Sequence, residues 1–202
     1  TRFAFEDAAA GRPWATRLPF PVQVVDAQTV IDAITGARFT TRWRYAHGAY
    51  DPVEKEFRGF GRVEQTDSAA YDDWRREAEG TGLDLEEAQF QAPVLTRAWY
   101  DLGLFMRDGA LSSAYSEETW QAEYARAFPA DPPPPGDPAI TDPPLATIGT
   151  ILDPAVLQRL QPSDLGAAAR ATRGRPVRTE VFAIDGDPAD PDDARRRLRP
   201  YT

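Results

Sequence analysis

The chain has 202 residues, 42% hydrophobic and 11% aromatic, with Pro 19 and Gly 14, which is a globular, turn-rich composition large enough for a domain or a domain and a half. Lys+Arg 23 against Asp+Glu 32 leaves a net charge of -9, a mean field that disfavours nucleic acid and other phosphate-rich partners. Cys is absent and His47 is the only histidine, which excludes disulfides, a thiol nucleophile, a Cys zinc site and a His-rich metal site, and no cofactor is expected. Thr1-Arg2-Phe3 carries neither an initiator Met nor the apolar core of a signal peptide, and no apolar run approaches the roughly 20 residues that span a bilayer. A piece of a longer polypeptide is expected.

In chain order, residues 18–67 read as hairpins. Pro21-Val22-Gln23-Val24-Val25 feeds a strand that Thr35-Gly36 turns back. The return arm alternates Phe39, Thr41, Trp43 and Tyr45 on a face expected to be packed with Arg38, Thr40, Arg42 and Arg44 on a face expected to be wet. A turn near Gly48 and Asp51-Pro52 leads into a strand over 55–65, where Gly59 and Gly61 predict a bulge or a close chain crossing. Tyr71, Trp74 and Ala78 predict a short helix over 68–78. Strands resume at 93–100 and near Leu104-Phe105. Ser116 is expected to cap a helix to Phe128 with Trp120, Tyr124 and Phe128 as its buried stripe, and Pro129 stops it. The proline-rich stretch over 129–144 predicts an extended connection. Helices are then expected over 153–160 and 163–173, the latter ending at Gly174, followed by a strand over 177–184, an Asp185-Gly186-Asp187 turn and the run Arg195 to Arg197.

Few patterns suggest chemistry. Arg58-Gly59-Phe60-Gly61-Arg62-Val63-Glu64-Gln65 overlaps an RNA-recognition signature, but Arg62 and Gln65 stand where base-stacking aromatics belong. The acidic turn from Asp185 to Asp190 lacks the spacing and the final Glu of a calcium loop. Glu117 with Glu118, and Glu54 with Glu56, read as charged surface rather than as an acid-base pair. His47 is placed at a strand end without a nucleophile to serve. Three readings remain: a structural component, a carbohydrate- or protein-binding module using Trp43, Tyr50 or Trp99 as exposed platforms, and a hydrolase if two carboxylates converge in a cleft.

Two stretches carry a resemblance. Residues 18–25, 32–36, 44–51 and 56–64, with the core Glu56-Phe57-Arg58-Gly59-Phe60-Gly61, resemble the TcdB/TcaC-type B subunit of insecticidal Tc toxin complexes and its SpvB-related relatives. Residues 93–100, 168–174 and 178–185 resemble the following middle/C-terminal region of the same subunits, with Asp101 standing where that family has a histidine. The resemblance implies an α+β, β-dominated fold of antiparallel hairpins in an Rhs-like shell, with two or three short helices packed on one side. It implies segments 1–67, 68–92 and 93–202, the last carrying the Pro-rich loop. Its structural motif residues are Glu56, Phe57, Arg58, Gly59, Phe60, Gly61, Thr96, Trp99, Arg170, Gly174, Arg178 and Glu180. The function implied is that of a non-catalytic wall segment of the cocoon that encloses a cytotoxic effector before translocation. Its partners are then the rest of the B subunit, an Rhs-repeat C subunit and, indirectly, the A-subunit channel, in a secreted complex. Such a wall is expected to lack a convergent titratable cluster and to need its edges covered.

Overall fold

The computed structural model of the chain describes residues 2–31, 33–34, 38–67, 93–104, 108–130, 153–184 and 189–200. Strands β1 (Ala27–Ile31), β2 (Arg38–Asp51), β3 (Glu56–Asp67), β4 (Val94–Tyr100) and β5 (Pro176–Ala183) form one sheet in sequence order. Each neighbouring pair is antiparallel. Among the described residues six helices accompany the sheet: α1 (Arg2–Ala9), α2 (Asp108–Glu117), α3 (Trp120–Ala127), α4 (Pro154–Leu157), α5 (Pro162–Ala171) and α6 (Pro191–Arg197). The architecture is the expected strand-rich α+β class, with more helices than the two or three foreseen.

The β2–β3 hairpin organises the rest. Asp51 Oδ1 accepts from the Val53 and Glu54 amides, closing the turn, and Lys55 completes it at φ 55. Ala49 pairs with Gly59 and Tyr50 with Phe57, so Arg58 is the extra residue of a bulge that Gly59 accommodates at φ 103. Gly61 serves a different need. A Cβ there would lie 2.1 Å from the Tyr115 hydroxyl, which crosses the strand to donate to the Tyr100 carbonyl at 2.9 Å.

Several boundaries differ from the sequence expectation. Residues 21–25 run outside the sheet, and pairing starts at Ala27. The helix expected over 116–128 starts later, at Trp120, as α3, and Ser116 belongs to the preceding helix α2. Ser116 Oγ donates back to the Ser112 carbonyl as an interior helical residue, and Thr119 precedes the new start. Leu104 lies in the loop after β4 and packs on the core instead of forming a strand. α4 has only four residues, capped by Asp153 accepting from the Ala155 amide, and α5 starts at Pro162 rather than Ser163. Gly174 sits beyond α5 at φ 77. Helices α1, α2 and α6 were not foreseen; in α6 the arginine run occupies the last turn, opposite Asp192 and Asp193 in the first, the sense the helix dipole favours. The Thr35-Gly36 turn, the helix over 68–78, Phe105, the proline run 132–135 and the Asp185-Gly186-Asp187 turn lie outside the described residues.

Partners directly opposite in an antiparallel ladder share a face of the sheet. One face therefore carries the row Arg44, Glu64, Arg97, Glu180, and beside it the row Ala46, Arg62, Trp99, Arg178. The expectation of a wet arginine face is overturned here: α1 engages Arg44, while the Glu118–Thr119 link and α3 engage Arg62, Arg97 and Arg178. Of the residues expected on the wet face Arg42 stands exposed while Thr40 and Arg44 are half-buried, and on the face expected to be packed Trp43 and Tyr45 are half-buried and Phe39 is exposed. The apolar core splits into two groups, Ala49, Trp99, Leu102, Leu111 and Tyr115 in one, and Trp120, Tyr124 and Phe182 in the other. The aromatic stripe of α3 is core as the sequence predicts, with Phe128 packed at its margin.

Candidate functional site

The densest group of polar side chains lies between these two cores. Its base is the transverse row Arg44, Glu64, Arg97 and Glu180, four strands contributing alternating charges at one level of the sheet. Arg97 Nε donates to Glu64 Oε1 at 2.9 Å, and its Nη1 donates to Glu123 Oε2 of α3 at 2.9 Å and to the Glu118 carbonyl at 3.2 Å. Its guanidinium also lies 5.4 Å from the Phe182 ring centre and 5.8 Å from that of Trp99. Burial alone would lower the Arg97 pKa, but the Glu64 and Glu123 carboxylates reverse this and hold it above its ordinary value.

Glu118 is the second node. Turned inward between α2 and α3, it receives Arg62 Nη1 on Oε2 at 2.9 Å, His47 Nε2 on Oε1 at 3.0 Å and the Trp99 indole N–H at 3.4 Å. Burial pushes its carboxyl up, and the bond from His47 with the charge of Arg62 more than reverses that, leaving it below the usual range. His47 sits within β2 rather than at a strand end, in the left-handed region at φ 55 and 1% exposed. Its Nδ1 accepts the Ala15 amide at 3.1 Å, so the ring proton is on Nε2 and points at Glu118. With both nitrogens occupied, the imidazole is a staple joining the N-terminal segment, β2 and the α2–α3 link, and offers no lone pair to a substrate.

Glu180 behaves oppositely. Its Oε1 accepts from Arg178 Nε at 2.6 Å and from the Trp120 amide at 3.2 Å, while Oε2 is buried without a hydrogen-bond partner. Burial outweighs Arg178 here and raises the carboxyl pKa. At the far end of the row, Asp7 of α1 is 1% exposed and accepts from Arg44 at 2.6 Å and from the Trp14 indole at 2.8 Å. Burial raises its pKa and those two bonds bring it below the ordinary value.

Carboxylates therefore do converge, contrary to the sequence reading of an unclustered wall, but each is engaged by an arginine, an indole, a histidine or a backbone amide. Chemically the arrangement can lock layers together. It presents no free acid-base pair, and among the described residues no three His, Cys, Asp or Glu side chains are placed to hold a metal ion.

Most of the motif residues fall into two places, with Gly174 and Thr96 outside them. Trp99, Arg178 and Glu180 belong to this charge lattice, with Trp99 fully buried and thus unable to act as an exposed platform. Glu56 to Gly61 form the bulged start of β3. There Arg58 pairs with Asp51 at 2.8 Å and Glu56 at 3.1 Å, and the Phe60 ring packs against Phe57, Trp14 and Tyr45, so these rings are occupied by one another rather than aligned for bases. Arg170 reaches the same hairpin from α5 through Glu54 at 3.2 Å, and Arg173 pairs with Glu56. The Gly174 amide donates to the Asp101 carbonyl at 2.7 Å, and Asp101 Oδ1 caps its own turn by accepting from Gly103 at 2.8 Å. Thr96 stands apart on the other face, opposite Gln65 and Val181. Of the platform candidates, Trp43 donates to Gln65 at 3.1 Å and Tyr50 packs edge-on with Phe20. Sequence reasoning missed Asp7, Arg62, Glu64, Arg97, Glu118 and Glu123. A signal was present: Arg62-Val63-Glu64, Arg97-Ala98-Trp99 and Arg178-Thr179-Glu180 each place an arginine two residues before a lattice or core partner on the same face.

Comparison with known proteins gives this geometry a context. Residues 1–75, which include β1, β2 and β3, match the family described as the insecticide toxin TcdB middle/N-terminal region. The crystal structure of TcdB2-TccC3 without its hypervariable C-terminal region is 28% identical, with a TM-score of 0.56, and the match covers 90% of this chain. The chain resembles the middle region of a Tc-toxin B subunit. A second crystal structure of TcdB2-TccC3 is 25% identical over 91% of the chain with a TM-score of 0.53, and the Photorhabdus luminescens Tc holotoxin pore is 27% identical over 90% with a TM-score of 0.52. The chain spans only 7% of the TcdB2-TccC3 chain without the hypervariable region and of the holotoxin-pore chain, and 8% of the other TcdB2-TccC3 chain. No curated protein matches it.

Proposed function

We propose that the chain is a non-catalytic structural segment of a Tc-toxin B subunit, one panel of the hollow shell that encloses a cytotoxic effector before its translocation. The observation that carries this reading is the charge lattice: α1, four strands and the α2–α3 link are tied by ion pairs that consume the groups an enzyme would need to keep free. A panel of a pressure-tight wall needs that kind of multi-layer tie. Its partners are the remainder of the B subunit, an Rhs-repeat C subunit and, through the assembled complex, the A-subunit channel, in an extracellular toxin.

The edge chemistry supports the same reading. All five residues of β1 are exposed, including Val30 and Ile31, and Phe39 follows across the ladder. An uncovered, partly apolar edge suits pairing with a neighbouring strand of the shell. The test is made in the full B subunit co-produced with its C subunit, reading resistance of the enclosed effector to added protease. Thr29→Pro in β1 is expected to make the effector protease-sensitive. Full shielding by that variant would sink the wall reading. Loss of toxicity in His47→Asn with shielding intact would point to chemistry in the lattice instead.

A further inference from the structure

A cleft of about 550 Å³ opens between the β2–β3 turn, the loop after β4 and helix α5, a volume in the range of ligand sites. Ala49, Tyr50, Pro52, Leu104 and Pro162 supply apolar wall, while Arg17, Arg58 and Arg170 face Asp51 and Glu54 as its charged lining. Two of those cations are neutralised: Arg58 by Asp51 and Glu56, and Arg170 by Glu54. The exposed Arg17 guanidinium has no hydrogen-bond or ion-pair partner among the described residues. Arg58 is 4% exposed, and its Nε–H is buried with no acceptor. The charged lining of the cleft thus lacks one negative charge.

Gly166 adds an independent indication. It lies inside α5, where glycine is the poorest ordinary helix former, and it lines the cleft. Among the described residues a Cβ at that position would meet nothing nearer than Arg170 Nη1 at 3.6 Å. Neither backbone conformation nor packing against the described residues demands a glycine, and the missing side chain leaves room for the backbone of an occupant to approach the helix. The occupant extends beyond the cavity, because Val53 (84% exposed) on the cleft rim and Phe20 (39%) beside Tyr50 continue the apolar surface outside it.

From these features we infer that the cleft is a docking site for a polypeptide segment that presents apolar side chains around a single carboxylate. The backbone passes close to Gly166 and the carboxylate neutralises Arg17. This site is separate from the charge lattice and does not depend on the wall reading.

The experiment titrates the chain with a panel of blocked tetrapeptides, each holding one Glu among Leu, Val and Phe, and with the same panel carrying Gln in place of Glu, followed by amide chemical shifts. Tyr50 and Gly166 are expected to shift with Glu peptides, and the matching Gln peptides to bind at least tenfold more weakly. Arg17→Gln, at an exposed position, should erase the preference for Glu while leaving the Gln peptides unaffected. Gly166→Leu should abolish binding of both panels without lowering the thermal midpoint. Absence of shifts at Tyr50 and Gly166 with every peptide at millimolar concentration would overturn the inference. Equal binding of the two panels, or undiminished binding to Gly166→Leu, would do the same.

Discussion

The two ends of the sheet use opposite chemistry. Toward β1 the ladder carries Val30, Ile31 and Phe39, residues whose composition suits a core, and all three stand in solvent. Toward β3, β4 and β5 it carries Arg62, Arg97 and Glu180, residues whose composition suits a surface, and all three are buried. The difference is coverage. Helices α2 and α3 and the N-terminal segment arrive over the charged end, and a buried charge persists because each finds an opposite charge or an amide there. Nothing among the described residues covers β1, so its apolar groups stay in solvent. A residue's polarity alone does not say which side of this sheet is inside.

The largest effect should come from breaking the covered end. Glu118→Ala removes the acceptor of Arg62, His47 and Trp99 together, and by analogy with broken buried pairs it should cost about 3–5 kcal/mol in urea unfolding. A loss under about 1 kcal/mol would mean that the lattice is far wetter than its burial indicates. Next, Gly61→Ala drives a methyl into the Tyr115 hydroxyl and should cost about 1–3 kcal/mol, recovered in part when Tyr115→Phe is added, because Tyr115 Cζ and His47 Cβ still crowd the methyl at 3.1 Å. Absence of recovery in that double mutant would break the proposed crossing.

The pH dependence sharpens the contrast further. Asp7 and Glu118 have folded values below their ordinary 3.8 and 4.5, so the stability they confer is complete above those values and lost as pH falls through the folded ones. Glu180, raised above its ordinary 4.5, has the opposite sign: its contribution is complete below that value and is lost as pH rises through the folded one. Glu180→Gln keeps the acceptor for Arg178 and Trp120 while removing the charge that burial disfavours. Thermal melts should show this variant at least as stable as the parent at pH 7, with a flatter stability profile just above pH 4.5. A clear loss at pH 7 would show that ionised Glu180 is a net stabiliser. The smallest expected effect is at the open end, where Val30→Lys should change folding free energy by less than about 0.5 kcal/mol and reduce any self-association seen by sedimentation.

Much of the fold was legible along the chain. Alternation marked the first half of β2 and all of β5, the expected strands over 55–65 and 93–100 fall on β3 and β4 to within two residues, the 3.6-residue spacing of Trp120, Tyr124 and Phe128 marked a buried helix face, and the Gly59 bulge followed from a glycine inside a strand pattern. Less of the candidate site was legible. Arg62, Glu64 and Arg97 are close in sequence only to their own strand neighbours, and Glu118 looked like the charged end of one long helix. Helix α1 went unseen because its decisive residue, Asp7, is polar and buried by contacts with Trp14 and the distant Arg44.

The sequence by itself determined local matters: strand periodicity, caps such as Asp153 and Asp190, the absence of cysteine and the lone histidine, and the motif Glu56 to Gly61 that carries the resemblance to Tc-toxin B subunits. The tertiary structure alone decided which face of the sheet is covered, that His47 bridges Ala15 and Glu118, and that Arg44, Glu64, Arg97 and Glu180 share one row. The physical reason is range. Backbone preference and side-chain alternation act within a few residues, whereas desolvating a charge is tolerable only where residues tens of positions away deliver its counter-charge.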